Sequence, residues 1–232
     1  MEKIEPFIFG LIILFMIGCL FIANVSNTPK KIGLGLIGHI MALFGILCFL
    51  GGNLLCLWGD ILPETMIFPM GYADGVVKNE GGLLFVALQS YNRIQIYDAS
   101  GKFIKSKYID ASGGIFKIEL DEDGCVNVYT SRKNKHYKLD EKGNIVLNED
   151  YTGQYEHHDT YYIDEEGSKY YVSCKYLYPR VIKEDNLGSK HIIIKQPVYL
   201  WVLGAPLPSF LIGVIGIFIS NWNANKTSKK RR

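Results

Sequence analysis

Hydrophobic residues are concentrated near the two ends of the chain, whereas the middle alternates between apolar and polar positions. Three runs contain no charged side chain: residues 6–24, 32–59 and 196–225. Each run is close to or longer than the roughly 20 residues that a helix needs to cross the hydrocarbon core of a membrane. The pattern predicts three transmembrane helices, at about residues 7–23, 32–57 and 198–222.

Between these runs, residues 59–195 show the period-two alternation that is typical of half-buried β-strands. The clearest case is Phe116-Lys117-Ile118-Glu119-Leu120, which places its apolar residues on one face. Fourteen of the fifteen tyrosines lie in this middle part, and tyrosine suits a half-buried pleated surface. Because no stretch of ten residues has helical periodicity, the pattern predicts an antiparallel β-meander.

A short turn sequence recurs three times within the β-rich part. It is Asn79-Glu80-Gly81 first, then Asp123-Gly124, then Glu165-Glu166-Gly167, and the glycines are 43 residues apart both times. Each copy is followed by an alternating run and a second turn, at residues 98–101, 140–143 and 185–188. A period of about 40–45 residues is that of propeller blades. The spacing predicts about three meander units with nine to twelve strands.

The first unit resembles a blade of the NHL-type β-propeller family, most closely over residues 81–104. The resemblance is carried by Tyr91-Asn92-Arg93-Ile94-Gln95-Ile96-Tyr97-Asp98, flanked by the strands at 82–87 and 101–104. It extends at lower similarity to about residue 195, with Asn134-Lys135-His136 and Pro179-Arg180-Val181 at the corresponding positions. The resemblance implies a ring-shaped binding scaffold without fixed chemistry. Propellers typically have 4–8 blades, and this chain has room for about three units.

Basic residues predict how the chain is oriented. Lys30 and Lys31 lie between the first two uncharged runs, and residues 226–232 contain five basic residues and no acid. By the positive-inside rule both segments face the cytoplasm, so the N-terminus and the β-rich part lie outside. The predicted fold class is membrane α plus all-β. Its parts are a transmembrane hairpin at 1–58, an extracytoplasmic β-domain at 59–195, and a third span with a basic cytoplasmic tail at 196–232.

The predicted location is the plasma membrane as a multi-pass protein. Lys229 and Lys230 also resemble a dilysine retrieval signal, so the endoplasmic reticulum membrane is the alternative. The predicted partners are the lipid bilayer and either a membrane protein or a second copy of the chain. Nucleic acid is not a predicted partner.

Candidate chemistry is sparse. The sequence His157-His158-Asp159, preceded by Glu156, is the one His/Asp cluster and could supply metal ligands. No H-E-x-x-H, P-loop or G-x-S-x-G motif occurs, and the acidic turns at 121–123 and 164–166 are read as solvated turns. No cofactor and no catalytic residue are assigned.

Two cysteines of the β-rich part, Cys125 and Cys174, could form a disulfide on an oxidising side of the membrane. The sequence does not show whether their Cα atoms approach closely enough. Cys19, Cys48 and Cys56 lie in the uncharged runs and are read as small apolar residues.

Three functions remain open at this point. The main prediction is a non-catalytic membrane protein that presents a β-repeat domain for binding or sensing. One alternative is an accessory subunit of a membrane transporter or complex. The other is a membrane-bound, metal-dependent hydrolase that uses residues 157–159.

Overall fold

The computed structural model describes residues 34–57, 59–70, 73–153, 161–173, 178–204, 211–219 and 222. The chain divides into two compact units. One contains Met1–Leu55 and Val202–Arg232, and its described part is helical. The other, Cys56–Trp201, contains the strands and is called the β-unit below.

Three α-helices are described: α1 (Leu34–Leu57), α2 (Val198–Gly204) and α3 (residues 211–219). Helix α3 packs closely on α1 through glycine. A Cβ atom added at Gly216 would lie 2.4 Å from the backbone nitrogen of Ala42 and 2.6 Å from the carbonyl oxygen of Gly38. Only a residue without a side chain at position 216 lets the two backbones approach to this distance.

The membrane part of the predicted fold class is wrong. No helix within the described residues is both long and apolar enough to cross a membrane. In the third uncharged run, the described residues 198–204 and 211–219 are helical. An uncharged run is a statement about composition, whereas a crossing also needs one continuous apolar helix. The first predicted span, 7–23, and the basic tail lie outside the described residues.

The multi-pass location in the plasma membrane, its endoplasmic-reticulum alternative and the inside–outside orientation all depended on those spans. Because the predicted spans are wrong, these predictions of location and orientation are wrong as well.

The predicted three-unit β-meander is confirmed. The described strands form three four-stranded antiparallel sheets, each with its strands in chain order. Sheet 1 contains β1 (Ala73–Lys78), β2 (Leu84–Leu88), β3 (Arg93–Tyr97) and β4 (Phe103–Tyr108). Sheet 2 contains β5 (Phe116–Leu120), β6 (Val126–Thr130), β7 (Lys135–Leu139) and β8 (Ile145–Asp150). Sheet 3 contains β9 (Tyr161–Ile163), β10 (Lys169–Ser173), β11 (Arg180–Glu184) and β12 (Lys190–Lys195).

Six equivalent turns join the first to the second and the third to the fourth strand of each sheet. In each, an Asx side chain accepts a hydrogen bond from the backbone nitrogen four residues later, as Asp140 does from Asn144 at 2.6 Å. The glycine three residues after the Asx donates its N–H to the Asx carbonyl oxygen and has positive φ. The six Asx residues are Asn79, Asp98, Asp121, Asp140, Asp164 and Asp185.

These turns correct the register of the repeat. Gly82, with φ +80°, is equivalent to Gly124 and Gly167, whereas the sequence spacing selected Gly81. The first two units are therefore offset by 42 residues, not 43. With this offset Asn92 (φ 51°) corresponds to Asn134 (φ 48°), so the two Asn-containing motifs are equivalent turns.

Sheet 1 lies between the other two sheets. Its front face packs on sheet 2 and forms one apolar core with it. The front face of sheet 1 consists of Val77, Phe85, Ala87, Ile94 and Ile96. Strand β1 also packs on β9 and β10 of sheet 3, where the Lys78 ammonium lies 3.6 Å from the Asp164 carboxylate and 5.5 Å from the Tyr170 ring centroid. The spatial order is therefore sheet 3, sheet 1, sheet 2.

The front face of sheet 2 is polar, unlike that of sheet 1. The residues equivalent to Phe85, Ile94 and Ile96 are Asn127, His136 and Lys138. His136 lies within 3.0 Å of both the Glu149 carboxylate and the Asn127 side-chain oxygen. The same blade-like unit therefore carries an apolar front face where another sheet covers it and a hydrogen-bonded polar one at the end of the row.

Candidate functional site

The sequence-predicted site residues fall mainly outside the described part of the chain. His157, His158 and Asp159, with Glu156, are not among the described residues, and neither is Cys174. Cys125 is a half-buried thiol just before β6. The metal site and the disulfide therefore stay predictions. Within the described residues no three His, Cys, Asp or Glu side chains are grouped as metal ligands.

The acidic turns use their carboxylates to hold their own backbone. The Asp98 side chain accepts from the Ser100 hydroxyl at 2.6 Å and from the Lys102 nitrogen at 3.0 Å, and these bonds lower its pKa. At Asp140, burial acts to raise the pKa, but hydrogen bonds from the Asn144 backbone and side chain outweigh it and lower the pKa. The turns at 121–123 and 164–166 follow the same pattern, so these acids serve the hairpins.

The back face of sheet 1 is covered by residues 59–70, called the covering segment below. Arg93, only 1% exposed, fastens this segment. Its Nε donates to the Gly59 carbonyl oxygen at 2.8 Å, and its Nη atoms donate to the carbonyl oxygens of Leu62 and Pro63. The guanidinium carbon also lies 4.5 Å from the ring centroid of Phe68. This is the arginine of the Asn-Arg-Ile motif, and it has a structural role.

The covering segment also reaches the outer edge of sheet 1. The Ser106 N–H of strand β4 donates to the Glu64 carbonyl oxygen at 2.7 Å, and the Lys107 ammonium pairs with the Glu64 carboxylate at 2.7 Å. An edge strand otherwise presents free backbone groups that can pair with another chain. The covering segment therefore pairs with this edge of sheet 1.

Two further side chains of β3 complete the attachment. Gln95 donates from Nε2 to the Phe68 carbonyl oxygen at 2.8 Å and accepts a hydrogen bond from the Tyr97 hydroxyl. Burial raises the pKa of Tyr97 well above its usual range. Because Tyr97 stays protonated, its hydroxyl is a fixed donor to Gln95. The back face of sheet 1 thus presents satisfied polar groups and apolar rings to the space beyond it.

A cavity of about 140 Å³ lies beyond this face, bounded by the covering segment, the β3–β4 turn and the chain that follows β12. Tyr97 and Gly101 contribute from sheet 1, and Gln196 contributes from the end of the β-unit. The other lining is mainly apolar and includes Ile67, Phe68, Met70, Phe103, Ile194 and Leu200. Ligand sites are typically apolar concavities with a few placed polar groups. This cavity has that composition on a small scale.

Gln196 is the buried amide among the residues that line the cavity. It is 2% exposed, and its Oε1 accepts the Met70 N–H at 2.7 Å across 126 residues of sequence. Its backbone oxygen accepts the Tyr178 hydroxyl at 2.6 Å. Its Nε2 is buried and has no hydrogen-bond partner among the described residues. A buried donor without a hydrogen-bond partner lowers the stability of the fold by about 1–3 kcal/mol, and such groups are rare in native structures.

Sequence reasoning did not find Gln196, Met70 or Tyr97. Nothing in the local sequence marks them, because each contributes to the cavity only through contacts with distant parts of the chain. The one available signal was the placement of a glutamine directly after the β12 alternation and before Pro197. That placement indicates the end of a strand and does not reveal a cavity.

The fold and the site together define a β-repeat domain built from propeller-like units, with a small apolar cavity at the back of its middle sheet. Neither a protein-family model nor a curated protein matches the chain.

Three similar solved structures show partial likeness. A streptogramin B lyase structure is 15% identical at a TM-score of 0.34, covering 59% of this chain and 45% of that one. A virginiamycin B lyase from Staphylococcus aureus is 14% identical at a TM-score of 0.32, with the same coverage. A protein of unknown function from Bacteroides caccae is 16% identical at a TM-score of 0.31, covering 55% of this chain and 51% of that one. The chain matches about half the length of these structures, and likeness at this level assigns no activity.

Proposed function

We propose that the β-unit is a binding module whose ligand is a small apolar molecule, or the apolar end of a larger one, held in the cavity beside Gln196. The observation that supports this most directly is the mainly apolar lining of the cavity, in which Tyr97, Lys195 and Gln196 are the polar residues. The cavity is partly open to solvent, and its volume of about 140 Å³ is similar to that of an engineered apolar cavity of about 150 Å³ that binds benzene.

The position of the cavity suits a sensing role. Residues 67–70 belong to the start of the β-unit and residues 194–200 to its end, and both line the cavity. A ligand in the cavity contacts both segments at once and adds to the hydrogen bond that Met70 donates to Gln196. Binding would therefore stabilise the junction of the two ends relative to the rest of the domain.

The alternative functions have less support in the described residues. The hydrolase hypothesis depended on residues 157–159, which are not described. No group of described residues combines a nucleophile with a base around the cavity, whose polar side chains are an amide, a phenol and the exposed Lys195. Binding is the function that this arrangement favours.

The test uses benzene as the probe and thermal unfolding of the purified full-length chain as the measurement. At a free concentration ten times its Kd, a bound probe stabilises the fold by about 1.4 kcal/mol and raises Tm. Ile67→Trp fills the cavity and should abolish the rise. Ile104→Trp, at a position that is 44% exposed on β4, is the matched control and should keep it. A wild-type Tm that does not change with benzene contradicts the proposal.

A further inference from the structure

The back of sheet 3 faces away from the other two sheets. Its front face includes Tyr170 and Val181, which are 2% and 0% exposed, and packs on sheet 1. A Cβ atom added at Gly101 in the β3–β4 turn of sheet 1 would overlap the Ile193 carbonyl oxygen of sheet 3, whereas one added at Gly188, the equivalent glycine of sheet 3, meets nothing within 4 Å. Among the described residues, no further sheet therefore lies behind sheet 3.

The back of sheet 3 carries apolar and aromatic side chains that are not buried. The strand register places five of them on this face: Tyr161, Ile163, Tyr171, Ile182 and Ile192. Tyr161, Ile163 and Ile192 are 37%, 54% and 50% exposed, and the other two are half-buried. The outward face at the other end of the row, the front of sheet 2, is polar instead. Exposed apolar patches with a polar rim are typical of interaction sites.

The charged side chains around this apolar patch are mainly positive. The same register places four cationic residues and one carboxylate on the back of sheet 3, among the described strand residues: Lys169, Arg180, Lys190, Lys195 and Glu184. The carboxylate already pairs with the Lys190 ammonium at 3.5 Å. Complementary charges steer the encounter of two proteins and disfavour wrong partners. The face therefore suits a partner that carries acidic side chains.

Sheet 1 shows how a back face of this kind is covered. Its covering segment has two acidic residues, Asp60 and Glu64, and no basic one. Arg93, the first residue of β3, fastens that segment by donating to its carbonyl oxygens. Arg180 is the first residue of β11, and each arginine lies opposite the last residue of both neighbouring strands. Sheet 3 thus carries arginine at the position from which sheet 1 binds an extended acidic segment.

We propose that the back of sheet 3 binds an extended segment of a partner protein that combines acidic and apolar side chains, as the covering segment does on sheet 1. The apolar side chains of the partner pack on Tyr171, Ile182 and Ile192, and its carboxylates pair with Lys169 and Lys190. This interaction surface goes beyond the proposed function, because it lies on the opposite face of sheet 3 from Ile194 and does not depend on the cavity.

The probe is a fluorescein-labelled peptide with the sequence of residues 59–70, and fluorescence anisotropy with the full-length chain measures its Kd. The chain's own covering segment occupies the back of sheet 1 at an effective concentration of about a millimolar. Peptide at micromolar concentration therefore does not displace it and reports on sheet 3. The comparison peptide carries Asp60→Lys and Glu64→Lys, which reverse its charge and keep its apolar residues.

Two double variants of the protein locate the binding face. Lys169→Glu with Lys190→Glu reverses two charges on the back of sheet 3. Arg132→Glu with Lys142→Glu reverses two exposed charges of sheet 2 and is the matched control. A thermal melt shows that each variant is folded. If the first pair unfolds, the milder pair of glutamine substitutions at the same two positions supplies the answer, with an expected loss of about threefold.

The expected result is that the glutamate pair on sheet 3 weakens binding of the acidic peptide about tenfold, whereas the control pair leaves it unchanged. A wild type that does not bind the peptide, or binds the charge-reversed peptide equally well, overturns the proposal, and so does equal binding by both double variants. Wild-type dimers in light scattering that Ile163→Asp dissociates would show that a second copy covers this face, which also overturns it. The benzene experiment tests the proposed function separately from all of these outcomes.

Discussion

At the scale of single residues, the β-unit depends on a buried arginine more than on any acidic or basic group at its surface. Arg93 donates to three carbonyl oxygens of the covering segment and to the Ser106 hydroxyl at 2.7 Å. A planar guanidinium presents five donors in a fixed fork, which suits several acceptors at once. The covering segment has no regular secondary structure. Arg93 therefore supplies hydrogen bonds to its carbonyl oxygens that a neighbouring strand would supply in a sheet.

Replacing Arg93 by Met should lower the free energy of unfolding by roughly 3 kcal/mol or more. Hydrogen bonds to charged groups contribute about 1.5–3 kcal/mol, and several buried acceptors lose their partner together. Arg93→Lys should recover little of the loss, because one ammonium cannot reach the same set of oxygens. Urea denaturation of the full-length chain measures both. Arg132→Met, at an arginine whose bond to the Ser112 oxygen is exposed and 3.5 Å long, is the control and should change stability by less than about 0.5 kcal/mol.

The sequence predicted the local part of this residue-level picture and none of the distant part. The Asn-Arg-Ile motif was recognisable, and the Asx and glycine positions of the turns were visible as a repeat. The partners of Arg93 in the covering segment lie 30 to 34 residues away, and Met70 and Gln196 are separated by 126 residues. Periodicity reports which face of a strand is buried but not what buries it. The cavity therefore could not be predicted, although the sheets could.

At the scale of elements, the hairpin turns combine a common backbone with very different surroundings. Gly143 and Gly188 occupy equivalent turns, with φ +74° and +80°. A Cβ atom added at Gly143 would lie 2.2 Å from Ile96 Cδ1, within the core between sheets 1 and 2, whereas one added at Gly188 meets nothing within 4 Å. Alanine at position 188 therefore adds backbone strain alone, whereas alanine at position 143 adds backbone strain and a steric clash in the core.

Gly188→Ala should cost about 1–2 kcal/mol, the strain of a left-handed conformation with a side chain. Gly143→Ala should cost about 1–3 kcal/mol more, because Ile96 must move in a packed core. The midpoints of urea unfolding compare the two variants directly. Equal losses would mean that Ile96 repacks freely and that the core is looser than the structure shows.

The turn carboxylates predict acid sensitivity. The pKa values of Asp98, Asp121, Asp140 and Asp164 are lowered in the folded chain. A lowered folded pKa gives stability that is present above the unfolded pKa, near 3.8, and is lost as pH falls through the folded value. Stability should therefore decrease on acidification below about pH 4.

Replacing these aspartates by asparagine should reduce that acid sensitivity. Asparagine keeps the accepting oxygen, as Asn79 shows in the equivalent turn, where it accepts the Leu83 N–H at 2.8 Å. The quadruple variant should unfold with a shallower dependence on pH between about 5 and 2 than the wild type. Chemical denaturation at each pH gives the slopes. Parallel slopes would show that other carboxylates dominate.

At the scale of the whole β-unit, the row of three sheets is closed at one end by a polar face. Asn127, His136 and Lys138 occupy the front-face positions that Phe85, Ile94 and Ile96 fill in sheet 1. Terminal units of repeat arrays carry a polar outer face so that the array stops. The sequence predicted a second copy of the chain as one of two alternative protein partners. The second copy stays untested, and this face argues against it as the interface.

Giving sheet 2 the front face of sheet 1 should therefore create an interface. In the triple variant Asn127→Phe, His136→Ile and Lys138→Ile, the chain should self-associate at concentrations where the wild type does not, because an apolar sheet face is left without cover. Light scattering on the full-length chain measures this. The control carries Lys142→Ile, Asn148→Phe and Glu166→Ile at turn and edge positions and should behave as the wild type. A wild type that already forms dimers, which the triple variant disrupts, would reverse the conclusion.

The spatial order of the sheets has a consequence for synthesis. Sheet 1 is made first, but its back face is completed by Ile194 and Gln196, at the far end of the β-unit. At about 5–20 residues per second, the 88 residues from Ile109 to Gln196 take roughly 4–18 s to emerge. During that interval Tyr97 and Phe103 lack part of their final cover, so a ribosome stalled within this stretch presents a folded hairpin with an incomplete apolar back face.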